Sequence, residues 1–297
     1  MLFSSRETPP ASVDHHYATS NCRQFVVADY ADEGTRLYYG RNSARLFGLV
    51  KPDAMSSLPA LVTAASKSFS LSRLRLVRLD GPAALRFGCS PGDTAMAMEA
   101  AMVGSDASLG PKWEAFASSY GMYTAVSAGS ASEDADCCFE ELPAATGTAV
   151  GPRSSAAVTC CLVKPHAVKE GLLGPILAEV AAEDFEVQAC EMLQLDVSAA
   201  ESFFDPYKGI FPHYAQVVAE AASGPAVFLK LVTARGACVE KLRELMGPGD
   251  VDLARTLRPK SLRARMGTDR VRNLVHCTDL PMDGDLECRF FAHLLGM

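Results

Sequence analysis

Two stretches of this chain repeat one pattern, and that repetition limits the available architectures more than any other feature. Leu46-Phe-Gly-Leu-Val-Lys51-Pro-Asp-Ala54 matches Thr159-Cys-Cys-Leu-Val-Lys164-Pro-His-Ala167. In each, an apolar strand ends in Lys-Pro-x-Ala and an amphipathic segment follows. An aromatic (Phe69, Phe185), a second apolar strand and a Leu-Asp stop (Leu79-Asp80, Leu195-Asp196) come next. Further on, Ala95-Met-Ala-Met-Glu99 parallels Pro225-Ala-Val-Phe-Leu-Lys230. Four features in the same order identify a tandem duplication, and 297 residues suit two units of moderate size.

Composition marks the boundaries. A Pro/Gly/Ala/Ser stretch at 143–156 interrupts all periodicity and reads as a linker. It separates a unit at 43–142 from one at 157–297. Residues 1–42 read as a tail: polar and disordered over 1–22, with one short strand at Gln24–Tyr30. In the second unit, strands are expected at 158–164, 187–195, 226–232 and 274–277. Helices are expected at 171–184, 198–206, 213–222, 236–246 and 284–295, with an Arg-rich loop before the last strand. Leu172, Leu173, Ile176, Leu177 and Val180 give the first of these helices one buried stripe. The order βαββαβ is the split-βαβ, ferredoxin-like plan, so the fold class is α+β with two tandem ferredoxin-like units.

Charge and hydropathy exclude several classes. A chain 48% hydrophobic and 21% charged is globular, and no apolar run nears the roughly 20 residues of a membrane span. No signal-peptide pattern opens the sequence, so neither secretion nor insertion is expected. The net charge of −7 divides evenly, which argues against nucleic acid as a partner. Ten cysteines include no C-x-x-C pair; they read as buried thiols of a reducing compartment, and no protein-held metal is expected. One segment departs from the acidic balance. Arg255 to Arg272 holds seven basic residues and one acid, Asp269, either a solvated basic face or a sink for a polyphosphate.

No Walker A loop, G-x-G-x-x-G or G-x-S-x-G motif is present, so bound phosphates would be held by side chains. Asn273-Leu-Val-His276-Cys-Thr-Asp279 resembles the Asn-x-x-His-Gly-Ser-Asp signature of nucleoside diphosphate kinases. Lys164-Pro-His-Ala-Val168 resembles their Lys-Pro-Asp-Gly-Val element, and Ser223-Gly-Pro225 and Arg243-Glu-Leu-Met-Gly-Pro248 fall at matching spacing. The resemblance covers 157–297 nearly whole. Its Val-Lys-Pro-His-Ala-Val, Gly-Leu-Leu-Gly and His-Cys-Thr-Asp-Leu-Pro variants are similar to the tandem-domain, seventh-type members of cilia and flagella.

The resemblance implies a role for each residue. His276 would accept the γ-phosphate as phosphohistidine, with Glu287 fixing its tautomer and Thr278 supporting the pair. Lys164, Arg243 and Arg263 would neutralise the transferring phosphate, and Asn273 would bind the ribose. Magnesium would arrive on the nucleoside di- or triphosphate. His166, where the family has Asp, reads as a turn residue. The base-stacking aromatic is replaced by His213 with Tyr214 adjacent, the upstream Tyr by Asp205, and a phosphate-touching Thr by Gly249.

In the first unit, Thr124-Ala-Val-Ser127 is expected to stand for Asn-x-x-His and Cys138 for the glutamate, with the helical hairpin deleted between Phe87 and Pro91. That unit is expected to be a catalytically dead packing partner. The resemblance thus implies a structural component of axonemal doublet microtubules, contacting tubulin and other axonemal proteins, whose second unit alone carries chemistry. The alternative is primarily an active kinase of the cytoplasm.

Overall fold

A computed structural model describes residues 17–20, 23–26, 45–101, 108–125, 127–145, 158–234 and 236–296. Near the N-terminus, β1 (Tyr17–Ser20) and β2 (Arg23–Val26) form a hairpin. Only the start of the expected strand at Gln24–Tyr30 belongs to it; the rest, with most of the tail and all of the expected 143–156 linker beyond residue 145, lies outside the described residues.

In the first half, β3 (Arg45–Val50), α1 (Leu58–Ser68), β4 (Ser70–Arg78), α2 (Gly81–Phe87), β5 (Thr94–Ala101), α3 (Leu109–Ser119), β6 (Tyr123–Thr124) and α4 (Ala128–Asp136) follow in order. The second half begins with β7 (Val158–Val163), α5 (Pro165–Lys169), α6 (Leu173–Ala182), β8 (Glu186–Gln194) and α7 (Val197–Phe204). It continues with α8 (Tyr214–Ala221), β9 (Pro225–Val232), α9 (Cys238–Met246), α10 (Val251–Leu257), α11 (Leu262–Met266), β10 (Val275–Cys277) and α12 (Gly284–Leu294). The expected Arg-rich loop is therefore corrected to two short helices, α10 and α11. Asp250 caps α10 by accepting the amides of Asp252 and Leu253.

All eight large strands form one antiparallel sheet in the order β10-β7-β9-β8-β4-β5-β3-β6. Each half contributes its first to fourth strands in the order 4-1-3-2, and the two meet through β8 and β4. The second half is the expected ferredoxin-like unit. Where it has α7 and α8 between strands, the first half has the single short α2. The residues following α4 also return to the sheet: the Ala145 amide donates to the Leu76 carbonyl at 2.7 Å.

Alternation along the strands sends side chains to two faces. One face carries a core continuous across both halves, joining Val50, Leu61 and Leu74 to Val163, Ile176 and Leu229. On the opposite face each half has its own core, around Phe47 and Phe87 in the first and around Phe203, Phe228 and Phe291 in the second.

Equivalent strands reveal a different correspondence between halves from the expected one. Leu162 of β7 pairs with His276, and Leu49, at the same place in β3, pairs with Tyr123. Tyr123, not Ser127, holds the register position of His276. The position eleven residues on, Glu287 in the second half, is Asp134 rather than Cys138. Ser127 instead caps α4, accepting the Ser130 amide at 3.2 Å.

The seam is narrow and specific. Arg75 and Glu191 face each other across β4 and β8, joined by two hydrogen bonds of 2.6 and 2.9 Å, while Arg75 Nη1 donates to the Phe139 carbonyl at 2.6 Å. Above them α1 packs on α6 at Gly174, where a Cβ would lie 2.6 Å from the Pro59 carbonyl. Burial pushes the Glu191 carboxyl up despite Arg75. A buried pair of this kind selects the register more than it adds net stability. Glu191→Leu should therefore cost about 3–5 kcal/mol in urea unfolding by stranding Arg75, and the double variant Arg75→Met/Glu191→Leu should regain most of it.

Candidate active site

His276 sits in the middle of β10, on the face that carries the second half's own core, and is 8% exposed. The rings of Phe203, Phe204 and Tyr207 meet it edge-on, at centroid distances of 5.0, 5.6 and 5.8 Å. Its Nε2 is 3.1 Å from Glu287 Oε1 in the first turn of α12. Glu287 Oε2 accepts the Thr278 hydroxyl at 2.7 Å, and Thr278 Oγ1 accepts the Cys160 amide at 3.0 Å. This relay fixes the carboxylate, the carboxylate holds the proton on Nε2, and Nδ1 keeps the lone pair of a nucleophile.

The backbone leading into β10 is unusual. Leu274 has φ +75°, in the left-handed region that a branched residue avoids. Around it the Val275 amide donates to the Asn273 carbonyl at 3.0 Å, the two-residue closure of a γ-turn. The strain lies two residues before the nucleophile candidate, where strained backbone tends to serve function.

Two buried cations stand beside His276. Lys164, at the end of β7, donates from Nζ to the Val271 carbonyl at 2.8 Å and to Asn273 Oδ1 at 2.7 Å. Arg263, from α11, spends its guanidinium on the carbonyls of Asn273, Gly247 and Val275 at 3.2, 2.7 and 2.8 Å. Gly247 permits this: its φ is +81°, and a Cβ there would lie 2.2 Å from Ser261 Oγ. Neither cation is ion-paired with a carboxylate among the described residues. Burial, reinforced by Arg263, pulls the Lys164 ammonium down to about 7. Glu220 and Asp269 act on Lys164 without contacting it and offset burial only in part, so an anion would stabilise this wall.

These residues line one cleft of about 830 Å³, in the range of a small-molecule site. It brings together Lys164, Arg243, Arg263, Asn273 and His276, with Glu287 and Thr278 behind the histidine. Arg243 pairs with Asp279, which also accepts the Tyr207 hydroxyl at 2.8 Å. The Asn273 amide bridges Lys164 to the Gly249 carbonyl at 2.8 Å, so it organises the cation as well as facing the cleft. No group of three or more His, Cys, Asp or Glu side chains among the described residues is arranged to hold a metal.

The structure amends three readings of the sequence. Phe211 lines the cleft beside His213 and stacks on Tyr207 at 4.7 Å and 20°, so an aromatic wall exists although counting back from Ser223 pointed to His213. Tyr214 turns away, donating to the Glu201 carbonyl at 3.2 Å. His166 is more than a turn residue: it bonds Glu220 and the Leu274 amide. Of the basic run, Arg255, Arg258, Arg265, Arg270 and Arg272 pair with surface carboxylates; only Arg263 is buried. Most of the run is thus the solvated basic face, and Arg263 alone of it turns inward to the cleft wall. Phe211 was recoverable from its nearness to the hairpin; His166 gave no signal, because its partners are 54 and 108 residues away.

Comparisons with known proteins place this geometry in a family. Residues 157–294 match the family model "Nucleoside diphosphate kinase". The chain is 32% identical over 310 residues to nucleoside diphosphate kinase homolog 7 of Rattus norvegicus, covering 92% of this chain and 77% of that protein. The Mus musculus homolog 7 is 32% identical over 308 residues, with the same coverage. The crystal structure of the Aquifex aeolicus nucleoside diphosphate kinase superposes with a TM-score of 0.43 at 32% identity, over 46% of this chain and 94% of that one. A chain whose second half carries His276, Glu287, Lys164 and Arg263 around one cleft, and which matches homolog 7 over nine-tenths of its length, belongs to the nucleoside diphosphate kinase family, with the homolog 7 members.

Proposed function

We propose that the second half transfers a phosphoryl group between nucleotides through His276. The observation that carries this is the pairing of a tautomer-fixed histidine with two buried cations that no carboxylate among the described residues contacts directly, all in one cleft. In the first step His276 Nδ1 attacks the γ-phosphorus of a magnesium nucleoside triphosphate. The N–P bond forms as the bridging O–P bond breaks, and the diphosphate departs with the electron pair. Glu287 balances the positive charge of the phosphorylated ring through Nε2–H. In the second step a nucleoside diphosphate oxygen attacks the same phosphorus and the histidine is restored. Lys164 and Arg263 neutralise the charge on the transferring group, and the Phe211–Tyr207 stack offers the base a flat apolar wall.

The first half has no such chemistry in this reading. Tyr123 replaces the histidine, and its hydroxyl donates to buried Asp134 at 2.8 Å. Burial and that bond push the phenol up to about 12, so it is no nucleophile at neutral pH. Arg86 completes the cluster by pairing with Asp134 and Glu133, and Phe87 packs edge-on against Tyr123 at 5.1 Å. We read the half as a degenerate nucleoside diphosphate kinase domain kept as a packing body that covers β8 and α6. Retention of such a body supports the companion proposal, a structural place in the axoneme against tubulin or its associated proteins. Salt-resistant retention of the chain in demembranated flagella is expected; full release with detergent would remove the axonemal role and leave the kinase of the cytoplasm.

Two further outcomes test the enzyme. The purified chain incubated with γ-labelled ATP should acquire an acid-labile label, absent in His276→Ala; an unlabelled wild type would sink the proposal. Lys164 supplies a second readout. With its ammonium pulled down to about 7, a growing fraction is neutral as pH rises above that value, and a bound phosphate favours the charged form. Magnesium ADP should therefore bind with proton uptake at pH 8 and weaken as pH rises, measured by calorimetry in two buffers of different ionisation enthalpy. Lys164→Met should lose the uptake.

A further inference from the structure

We propose that His166 is a positioning residue for His276, holding the strained turn that aims the nucleophile and tying it to the cleft wall; this rests on the phosphotransfer reading above. His166 is buried in α5, two residues after Lys164. Its Nε2 lies 3.2 Å from the Leu274 amide. An amide can only donate, so Nε2 is the acceptor and the ring proton sits on Nδ1, which faces Glu220 Oε1 at 2.7 Å. The His166 backbone amide donates to the same oxygen at 3.0 Å, so both partners are locked.

The position of that acceptor is what matters. Leu274 is fully buried and left-handed. Its carbonyl still accepts the Lys164 amide at 2.9 Å, while its own amide is directed to the imidazole instead of the sheet. A buried amide without an acceptor is costly, and the extended alternative for Leu274 would shift the strand that carries His276. Glu220 lies in α8, whose Val217 lines the cleft. One side chain thus joins the segment after Lys164, the helical wall and the turn before His276.

Two isosteres separate positioning from simple core filling. The amide oxygen of His166→Gln reaches the place of Nε2 and can accept from Leu274; His166→Asn reaches only the place of Nδ1. In the full chain, the Asn variant should form phosphohistidine about 10- to 100-fold more slowly at saturating ATP, with little change in nucleotide affinity. The Gln variant should stay near the wild-type rate even where its Tm falls as far as that of Asn. A wild-type rate in Asn overturns the proposal, as does an equal loss in both variants that tracks Tm. Nitrogen NMR decides without turnover: His166 Nε2 must be the unprotonated nitrogen, and the His276 ring resonances must move in Asn but not in Gln. A protonated Nε2, or His276 signals unmoved in both, overturns the proposal. An unlabelled wild type whose NMR arm behaves as expected would fail the kinase reading alone.

Discussion

Three ladder pairs, Val275 to Cys277 of β10 against Val163 to Cys161 of β7, decide everything at the candidate site. Side chains on a strand alternate, so a slip of one residue would send His276 to the continuous core face and present Cys277 to the second half's own core. The edge strand is too short to define its register by pairing alone. It is pinned from outside: Thr278 links β7 to Glu287, the Leu274 carbonyl accepts Lys164, and Arg263 gathers the carbonyls of Asn273 and Val275. The residues that surround His276 are therefore also the ones that fix its strand.

That arrangement carries an electrostatic cost. Lys164 and Arg263 are buried against carbonyl dipoles rather than carboxylates, and the ammonium loses most of its usual basicity as a result. Elsewhere among the described residues, many surface arginines, Arg45, Arg73, Arg258, Arg265 and Arg289 among them, pair with acids. The wall of the cleft departs from that pattern with two cations side by side. In the proposed reading, positive charge that destabilises the empty fold would be offset by a bound polyphosphate, so the wall would be organised for a ligand and not for its own stability.

The two halves share one order of strands. Strand order, the Lys-Pro turn and the contact eleven residues apart persist in both, yet histidine–glutamate in the second is tyrosine–aspartate in the first. The phenol still donates to the acid, so the packing survives while the lone pair is lost. Arg86 pairs with Asp134 there. What remains of the first half's purpose lies at the seam, where Arg75, Glu191 and the close approach at Gly174 supply the second half with a neighbour for its edge strand and helix.

The sequence by itself determined the family, the ferredoxin-like order of elements in the second half and the bounds of its longer elements to within a few residues, and it singled out His276, Glu287, Thr278, Lys164, Arg243, Arg263 and Asn273, which the fold gathers at one cleft. These were legible because strand periodicity, stop signals and a motif at characteristic spacing are local properties of the chain. Tertiary structure alone decided the rest. Tyr123 rather than Ser127 aligns with His276 because register is set by pairing with β3 and not by counting from a degenerate motif. Arg263 is buried while its neighbours are solvated because α11 turns one face of an evenly basic run inward. His166 reaches the nucleophile's turn through hydrogen bonds to residues far away in sequence, and the two halves share a sheet through one arginine and one glutamate. Contacts of that range leave no periodic trace in a chain, since nothing in the local pattern records which distant backbone amide lacks an acceptor.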